Sequence, residues 1–590
     1  MTYQAPIQNI LFTLKHEVGM DRLFAAEANG LDENLLQSIL EEAGKFASEI
    51  IEPSNAAGEK QPAQLTDEGV TVCEPYRHVY KQFVENGWPT LTAPQAYGGQ
   101  ALPHVIGNIV GEMVNAANMS FAIGALLTEG AITAIDAHAS DEIKTTWLPK
   151  LTTGEWMATM NLTEPQAGSD LGAIRSKAIP QADGTYKISG TKIFITYGEH
   201  NMVDNIVHLV LARLPDAPNG TRGISMFLVP RYLLDENGKP TIENDVKCVG
   251  VEEKLGSHGS PTCVMSFGEK GGATGWLVGP EHKGMAGMFT MMNNARLGVA
   301  MQGVGLADYA TQKAISYAQE RKQGRAPDAP KDSNDSVAII HHPDIRHMLM
   351  QMQALTNAIR AISYENSILI DLAQRTDDTQ AAALSELLTP VSKAFSSDMA
   401  NEIASLGVQV HGGMGYIEET GAAQFMRDAR ILAIYEGTNG IQALDLIGRK
   451  LPMDNGAVVQ VWLDQVGETV AACKKHKDEN IQQIGAQLET ALQSLKKATD
   501  WMLAEQDNRL DKLSGATAYL RLFGLTAGGH YLARGAIAAS QMEQTAFTRH
   551  KQALARFYAL HILPQTTGIA FSVLNGGAVV SETAIEDFVA

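Results

Sequence analysis

The amino-acid sequence predicts an α+β protein that is mostly α-helical, with one antiparallel β domain between helical regions. Two changes in the spacing of apolar residues support this prediction. From about residue 15 to 155 apolar positions recur at helical spacing, and this pattern returns near residue 284. Between about residues 157 and 280 the sequence has short alternating or β-branched runs bounded by Gly, Pro, Asp and Asn, which are typical of strands.

Four domains are predicted from these changes. We expect an N-terminal helical domain over residues 1–156, a central β domain over 157–280, a helical domain over 281–452 and an extra helical domain over 460–590. A chain of 590 residues can bury several cores, and its length favours three or four domains. The segment LPMDNGAVV, between the last two domains, is interpreted as a linker.

The first two domains each contain one informative segment. Residues 108–139 are rich in Ala, Met and Leu and poor in charge, which is typical of helices buried among other helices. In GTYKISGTKIFIT apolar and polar positions alternate, so Tyr186, Ile188, Ile193 and Ile195 are predicted to lie on consistent faces of a strand.

The later part of the chain contains a loop and a long helix. QGRAPDAPKDSNDS is rich in Pro, Asp and Ser and predicts an exposed loop. In the extra domain, apolar residues at i, i+3/i+4 spacing predict an amphipathic helix: Ile481, Ile484, Leu488, Leu492, Leu495, Ala498 and Met502. Residues 461–590 carry 12 Lys and Arg against 13 Asp and Glu, so no basic face is predicted there.

The composition narrows the classes of function. The chain carries 46 Lys and Arg against 66 Asp and Glu, a formal net charge of −20. This argues against nucleic-acid binding, because phosphate contacts need clustered basic residues. The four cysteines are scattered without a CxxC pair, which argues against a disulfide framework or a metal site and fits a reducing cytoplasm. With neither a signal peptide nor an apolar run long enough for a bilayer, we expect a soluble cytoplasmic protein without a transmembrane segment.

Two segments of the β domain carry hydroxyl side chains. MNLTEPQAGSDLGAIRSKA contains Thr163, Ser169 and Asp170, and GTKIFITYGEHN contains Thr196. The first segment could be an ordinary turn, because Pro, Gly, Ser and Asp favour turns. Together they could hydrogen-bond the edge of a planar heterocycle, with Phe194 packed against it. The sequence contains neither GxGxxG after a strand nor GxxxxGK[ST], so a dinucleotide would not bind on a Rossmann unit.

Six ordered motifs resemble those of acyl-CoA dehydrogenases: LTEPQAGSD, ITYG, ARLGVAMQGVGLADYA, AQERKQGR, VQVHGGMGY and RDARILAIYEGTNGIQ. The resemblance covers about residues 35–450. It implies that family's fold, in which an N-terminal helical domain, a β domain and a C-terminal four-helix bundle follow one another. The extra C-terminal domain resembles the longer bacterial subgroup, which includes dehydrogenases of fatty acyl-CoA and of 3-(methylthio)propanoyl-CoA.

The resemblance implies bound FAD and assigns residues to it. The flavin-ring contacts would be Leu162, Thr163, Ile195 and Thr196, with Phe194 against the ring face and Ser169 near the pyrophosphate. Arg321, Gln409, Gly412 and Gly413 match positions that reach the FAD of a neighbouring subunit, and Thr438 matches one further FAD contact. The resemblance therefore implies an oligomer, with a homodimer expected and a tetramer possible. Phe194 stands where many relatives carry Trp, Met160 replaces an aromatic residue, and Gly440 replaces a longer polar residue.

The resemblance also implies that Glu436 is the catalytic base. A carboxylate in an apolar cleft suits removal of the weakly acidic α proton of a thioester, because desolvation raises its basicity. The hydride from the β carbon would pass to the flavin, giving a trans-2-enoyl-CoA. Substrate contacts are implied for Ser169, Arg296, Glu436 and Gly437.

Other interpretations of these residues are open. Glu436 could be an acid beside a helix start, with Asn439 as the N-cap and Gln442 three residues later. Arg296 could be a simple surface arginine of a helix. Some relatives place the base just before this arginine, where the present chain has Ala295. A catalytic carboxylate is therefore expected at Glu436 alone.

Several functions compete. The leading expectation is a dehydrogenase that passes electrons to an electron-transfer flavoprotein. An acyl-CoA oxidase would use the same base and cofactor but reduce O₂. A DNA-associated flavoprotein of the same fold is opposed by the acidic composition and by Glu436, and a purely structural scaffold is opposed by the ordered motifs. The expected substrate is a medium- to long-chain fatty acyl-CoA or 3-(methylthio)propanoyl-CoA.

Overall fold

The computed structural model describes residues 2–26, 31–328, 330, 335–504 and 509–589. The chain forms two compact units. The β-containing unit is Lys45–Gly298, and the helical unit combines Met1–Gly44 with Val299–Ala590. The first unit is therefore an insertion in the sequence of the second.

Helices dominate the described residues, in agreement with the predicted fold class. In chain order they are α1 (Ile7–Phe12), α2 (Asp21–Ala26), α3 (Glu33–Phe46), α4 (Glu52–Lys60), α5 (Glu74–Glu85), α6 (His104–His138), α7 (Asp141–Thr152), α8 (Gly284–Glu320), α9 (Pro343–Thr376), α10 (Thr379–His411), α11 (Ala422–Arg430), α12 (Asn439–Asp445), α13 (Ala457–Lys474), α14 (Glu479–Leu503), α15 (Arg509–Gln541), α16 (Ala546–Phe557), α17 (Gln565–Asn575) and α18 (Gly577–Glu582).

The strands all belong to the β-containing unit. They are β1 (Gln64–Thr66), β2 (Gly69–Thr71), β3 (Met157–Asn161), β4 (Lys177–Pro180), β5 (Tyr186–Thr196), β6 (Ile206–Arg213), β7 (Ile224–Pro230), β8 (Tyr232–Leu234), β9 (Pro240–Glu243), β10 (Val246–Val251), β11 (Thr262–Phe267) and β12 (Ala273–Val278). Eight of them form one sheet in the order β10-β11-β5-β12-β7-β6-β3, with β4 beside β5 and β6.

Two features of these strands differ from the prediction. The sheet is mostly antiparallel, as expected, but β3 pairs with β6 in parallel, with Met157 opposite Ile206. In addition, β1 and β2 form a hairpin inside the region predicted to be helical. Its turn is made by Asp67 and Glu68 before Gly69, whose φ of 111° suits glycine.

Helix α6 is the long buried helix that the Ala- and Met-rich segment predicts. Asn118 has non-helical backbone angles and kinks it. The Asn118 side chain accepts hydrogen bonds from Tyr76 Oη (3.2 Å) and from the Phe121 amide (3.1 Å), and donates one to Ser54 Oγ (2.9 Å). A single buried amide therefore bonds the kink to two other helices of the same unit.

Two helical stretches of the described chain are long and apolar. Among the described residues, His104–His138 and Ala546–Asn575 are long and apolar enough to cross a membrane when judged only by length and composition. Their most apolar windows are 78% and 44% buried inside the structure. The burial of the first stretch is that of a core helix, and the expected absence of a transmembrane segment stays a prediction.

In the helical unit, α9 and α10 form a long antiparallel pair, and α15 packs against α9, α10 and α12. Helix α14 confirms the predicted amphipathic pattern, because all seven predicted residues are buried. The segment interpreted as a linker contains one 3₁₀ turn, Met453–Gly456, and α13 begins at Ala457. Of the predicted loop at 323–336, residues 329 and 331–334 lie outside the described residues.

A buried lysine joins distant parts of the helical unit. Lys551 Nζ in α16 lies 2.7 Å from Glu17 Oε1 and donates hydrogen bonds to Asn9 Oδ1 (2.9 Å) and Asn357 Oδ1 (3.1 Å). Burial lowers the pKa of Lys551, and the nearby Glu17 opposes this change. These bonds connect the extra C-terminal helices to the N-terminal segment and to α9.

Candidate active site

In the β-containing unit the two hydroxyl-bearing segments lie side by side. Leu162 and Thr163 follow β3 directly, and the Ile193 amide of β5 donates a 2.9 Å hydrogen bond to the carbonyl oxygen of Thr163. Thr196 ends β5, and its neighbour Ile195 is buried. The predicted ring contacts Leu162, Thr163, Ile195 and Thr196 therefore belong to adjoining backbone segments.

A β-bulge changes the direction of Phe194. Ile195 pairs with Cys263 and Lys192 pairs with Met265, so β5 has two residues where β11 has one. Phe194 in this bulge has a φ of 59°, a value that non-glycine residues rarely adopt. Its side chain is 58% exposed, although Phe is usually buried. The bulge thus presents an aromatic face beside the Thr163 segment.

A buried ion pair holds these segments together. Lys192 is fully buried, and its ammonium donates to the Leu162 carbonyl oxygen at 2.9 Å and to Glu164 Oε1 at 2.8 Å. Glu164 also accepts hydrogen bonds from the amides of Arg175 (2.7 Å) and Ser176 (3.0 Å) and from Ser176 Oγ (2.6 Å). The loop after β3 is therefore fixed at both of its ends.

The electrostatics of this pair favour the charged forms. Burial alone would raise the pKa of Glu164, but the Lys192 ammonium and the hydrogen bonds from Ser176 and Arg175 lower it to about 2. Burial lowers the pKa of Lys192 to about 8, with Glu164 opposing the change. Ser169 lies exposed within the same loop, beside Asp170, whose Oδ1 accepts a 2.9 Å hydrogen bond from the Gly172 amide.

In the helical unit Glu436 lies in a short turn between Ile431–Ala433 and α12. Its φ of 56° is again in the left-handed region, and Gly437 follows with a φ of 83°. Thr438 caps α12, because its Oγ1 accepts a 3.2 Å hydrogen bond from the Ile441 amide. The expectation that Asn439 is the N-cap was wrong, since Asn439 is the first residue of the helix and is buried.

Side-chain hydrogen bonds hold the residues on both sides of Glu436. Tyr435 Oη donates a hydrogen bond to Gln302 Oε1. Burial raises the pKa of Tyr435 well above its ordinary value, and the nearby Glu436 raises it further. On the other side, the buried Gln442 donates to the carbonyl oxygens of Glu436 (3.3 Å) and Gly437 (3.4 Å). The carboxylate therefore projects from a constrained backbone.

The remaining candidates lie in two places. Arg296 is only 4% exposed and its guanidinium lies 5.9 Å from the centre of the Phe289 ring, so it is not a surface arginine. Arg321 follows α8, and Gln409 lies in the last turn of α10. The rings of Tyr317 and His411 stack at 4.4 Å, which brings these two helix ends together.

The end of α10 presents an exposed surface. Gly412 has a φ of 60°, and added Cβ atoms at Gly412 and Gly413 would meet no other atom within 4 Å. Tyr416, three residues further on, is 84% exposed. The nearby apolar side chains of Met414 and Ile417 are also exposed. We call the apolar surface formed by Met414, Tyr416 and Ile417 the α10-end surface. It lies beside the candidate residues Arg321, Gln409, Gly412 and Gly413.

Two supporting lysines and the β-bulge were not predicted from the sequence. Lys192 and Lys393 are buried lysines, and only their positions inside apolar runs could have indicated this. The bulge had a clearer signal, because Ile188 and Ile195 are seven residues apart and could not both face the core from a regular strand, yet both are buried. Within the described part of the chain, no group of three or more His, Cys, Asp or Glu could hold a metal ion.

Comparisons with known proteins give consistent matches along the chain. Models of the acyl-CoA dehydrogenase N-terminal, middle and C-terminal domains match residues 35–155, 159–269 and 282–451. A model described as acetyl-CoA dehydrogenase C-terminal like matches residues 462–584.

Individual proteins are similar over nearly the whole length. The chain is 44% identical to the 3-methylmercaptopropionyl-CoA dehydrogenase of Ruegeria pomeroyi over 574 residues, which are 95% of this chain and 96% of that protein. The fold resembles Caenorhabditis elegans ACDH-11 in complex with C11-CoA, with a TM-score of 0.79, 20% identity, and coverage of 99% and 96%. It also resembles an acyl-CoA dehydrogenase complexed with FAD from Bacillus anthracis, with a TM-score of 0.61, 23% identity, and coverage of 93% and 96%.

Proposed function

The chain belongs to the acyl-CoA dehydrogenase family, and we propose that it uses FAD to oxidise an acyl-CoA thioester to the trans-2-enoyl-CoA. The observation that supports this most strongly is the backbone of Glu436. A non-glycine residue in the left-handed region persists only where the surrounding structure imposes it, and such residues cluster at functional sites. Here the imposed residue is a carboxylate.

On this proposal Glu436 is the general base. Its carboxylate takes the proton from the α carbon of the thioester, and the amide of Glu436 polarises the thioester oxygen. Because Tyr435 is buried with a raised pKa, it stays neutral beside this carboxylate. Gly437 and Arg296 are the further substrate contacts, with Ser169.

The residues of the β-containing unit fit FAD. An isoalloxazine ring is planar and has one polar edge, which matches an exposed Phe194 face beside two threonines and their backbone groups. Leu162, Thr163, Ser169, Phe194, Ile195 and Thr196 would hold it, with Thr438 as a further contact. When bound, FAD supplies the acceptor for the hydride that leaves the β carbon.

We also assign a second copy of the chain to the α10-end surface. Exposed Tyr416, Met414 and Ile417 form an apolar patch that a partner would cover. Arg321, Gln409, Gly412 and Gly413 beside this patch would then complete the FAD site of the partner, which gives a homodimer. Electron-transfer flavoprotein is the proposed acceptor of the electrons, and the cytoplasm is the proposed location.

For the substrate we propose 3-(methylthio)propanoyl-CoA. The support is the 44% identity to the Ruegeria pomeroyi enzyme over nearly both full lengths. Anaerobic addition of this thioester to the yellow holoenzyme should bleach the flavin absorbance faster than addition of C4 to C16 acyl-CoA. Bleaching only by unsubstituted acyl-CoA would reject the substrate, and no bleaching by any thioester would reject the reaction. Fast reoxidation in air without a protein acceptor would reject the electron-transfer partner.

A further inference from the structure

Lys393 lies in the interior of the helical unit beside the turn that carries Glu436. Its side chain is completely buried in α10, a rare position for lysine. The ammonium donates hydrogen bonds to the carbonyl oxygen of Gly437 (2.8 Å) and to Asn439 Oδ1 (2.9 Å). Both acceptors belong to the Glu436 turn and the helix that it starts.

A chain of hydrogen bonds connects the Lys393 ammonium through Asn439 to the carboxyl group of Asp398. Asn439 Nδ2 donates to Asp398 Oδ1 (2.6 Å) and to Ser397 Oγ (2.9 Å). Burial raises the pKa of Asp398, while the Asn439 amide and the charge of Lys393 oppose the rise. Lys393 and Ser397 are four residues apart and so share one face of α10. One helix face therefore holds the start of α12 through a single buried asparagine.

The Gly437 carbonyl belongs to the residue directly after Glu436, so a hydrogen bond to it restrains the backbone of the Glu436 turn. Glu436 and Gly437 form two successive left-handed residues, an arrangement that depends on its surroundings. Gln442 also reaches the Gly437 carbonyl, but at 3.4 Å and without a charge. The Lys393 ammonium is the shorter and charge-assisted bond, and such bonds are the stronger ones.

We propose that Lys393 is a positioning residue for the α-proton abstraction, which fixes the direction of the Glu436 carboxylate by holding the Gly437 carbonyl. The inference rests on the proposed role of Glu436. The Lys393 ammonium also places a buried positive charge 2.8 Å from the carbonyl oxygen of Gly437, the residue next to Glu436, and a nearby positive charge favours the ionised form of a carboxylate. Removal of Lys393 therefore should alter both the geometry and the acidity of the base.

The test compares Lys393→Met with Lys551→Met in the full-length holoenzyme. Lys551 is the matched control, because it is also a buried lysine of the helical unit but bonds to Asn9, Asn357 and Glu17. Lys393→Met should keep FAD and KM, and lower kcat on the order of 100-fold, as a misplacement of about 1 Å does. The acidic limb of its kcat–pH profile should move to higher pH, and amide hydrogen exchange over residues 433–442 should rise. Lys551→Met should change none of these five quantities.

Asn439→Ala provides a second variant if Lys393→Met does not fold. It breaks the connection to Asp398 and leaves the bond to Gly437, so kcat and local exchange should lie between those of wild type and Lys393→Met. Wild-type kcat and pH profile in Lys393→Met, or in Asn439→Ala when the former does not fold, would overturn the inference. Equal kcat losses in Lys393→Met and Lys551→Met would also overturn it. An active Glu436→Gln enzyme would instead show that the proposed role of Glu436 is wrong, and a wild-type enzyme whose flavin no thioester bleaches would show that the proposed function is wrong.

Discussion

Lys192 Nζ donates a 2.9 Å hydrogen bond to the carbonyl oxygen of Leu162, so a charge on β5 holds the loop that leaves β3. The Lys393 bond to Gly437 repeats this arrangement in the helical unit. Both lysines are fully buried, and each donates to the backbone of a segment with candidate site residues. A backbone carbonyl is an acceptor that side-chain substitution does not remove, which makes it a dependable anchor for a loop.

Replacement of Glu164 by Gln should destabilise the protein in a pH-dependent way. It leaves Lys192 buried without its carboxylate, which costs about 3–5 kcal/mol. The pKa of Glu164 is lowered from 4.5 to about 2, so the ionised form stabilises the fold fully above pH 4.5 and progressively less as pH falls toward 2. The difference in Tm between wild type and Glu164→Gln should therefore be large at pH 7 and smaller at pH 3.

The exposed pair of Lys150 and Glu155 provides the control for this experiment. Glu155→Gln should change stability by less than about 1 kcal/mol, because exposed ion pairs contribute little. If the difference in Tm between wild type and Glu164→Gln stays constant between pH 7 and pH 3, the contact with Lys192 does not lower the pKa of Glu164.

Glu436→Gln should bind FAD normally and lose the ability to reduce it with substrate. The change removes the proton acceptor but keeps the size of the side chain, so we expect a rate loss on the order of 100- to 10,000-fold. Anaerobic stopped-flow absorbance of the flavin measures this rate. Glu418→Gln, which changes an exposed glutamate of the same unit paired with Arg427, should reduce FAD at the wild-type rate. Normal reduction in Glu436→Gln would require another base.

Two substitutions of Phe194 should separate its backbone strain from its ring contact. Both Phe194→Ala and Phe194→Gly remove the ring, so FAD should bind about 3- to 10-fold more weakly, as expected for aromatic contacts worth about 0.5–1.5 kcal/mol. Glycine also relieves the left-handed conformation, so the Phe194→Gly apoprotein should be more stable than Phe194→Ala by about 1 kcal/mol. Equilibrium FAD titration and thermal unfolding of the apoproteins measure the two effects. Equal stability would argue against a strained φ at this bulge.

Tyr416→Asp should weaken the proposed homodimer. The substitution places a charge in the apolar α10-end surface, whose burial without a partner charge is costly. Light scattering after size exclusion should show a lower mass, and the FAD content should fall because the partner completes the site. Ile585→Asp is the matched control, because Ile585 is also 84% exposed but lies in the extra domain. An unchanged mass for Tyr416→Asp would place the interface elsewhere.

The parts of the fold that follow a local period could be predicted from sequence. Helix α14 is an example, because its seven apolar positions repeat at helical spacing and all are buried. The parallel pairing of β3 with β6 could not be predicted, since it joins Met157 to Ile206 across two other strands of the chain. Pairing over such distances depends on tertiary packing, which leaves no local pattern.

The candidate site also has one part that a local sequence pattern predicts and another part that depends on tertiary packing. Glu436 could be singled out because an acid at a turn between apolar runs is unusual, and the motif resemblance assigned it a role. The residues that hold the backbone around Glu436 could not be identified from a sequence pattern. Lys393 is one charge within an α-helical sequence, and only the folded structure shows that it reaches Gly437. The cap at Thr438 was missed because Asn439 is an equally good capping residue.

The bond between Lys551 and Asn9 has a consequence for biosynthesis. It joins residues 542 positions apart, and all of the β-containing unit is translated between them. At about 5–20 residues per second, the N-terminal helix waits roughly half a minute or longer on the ribosome for its partner. During that time Glu17 has no Lys551 to neutralise it, whereas the β-containing unit has its whole sequence as soon as Gly298 has been added. Translation order therefore makes the whole sequence of the inserted unit available before the helical unit can form this bond.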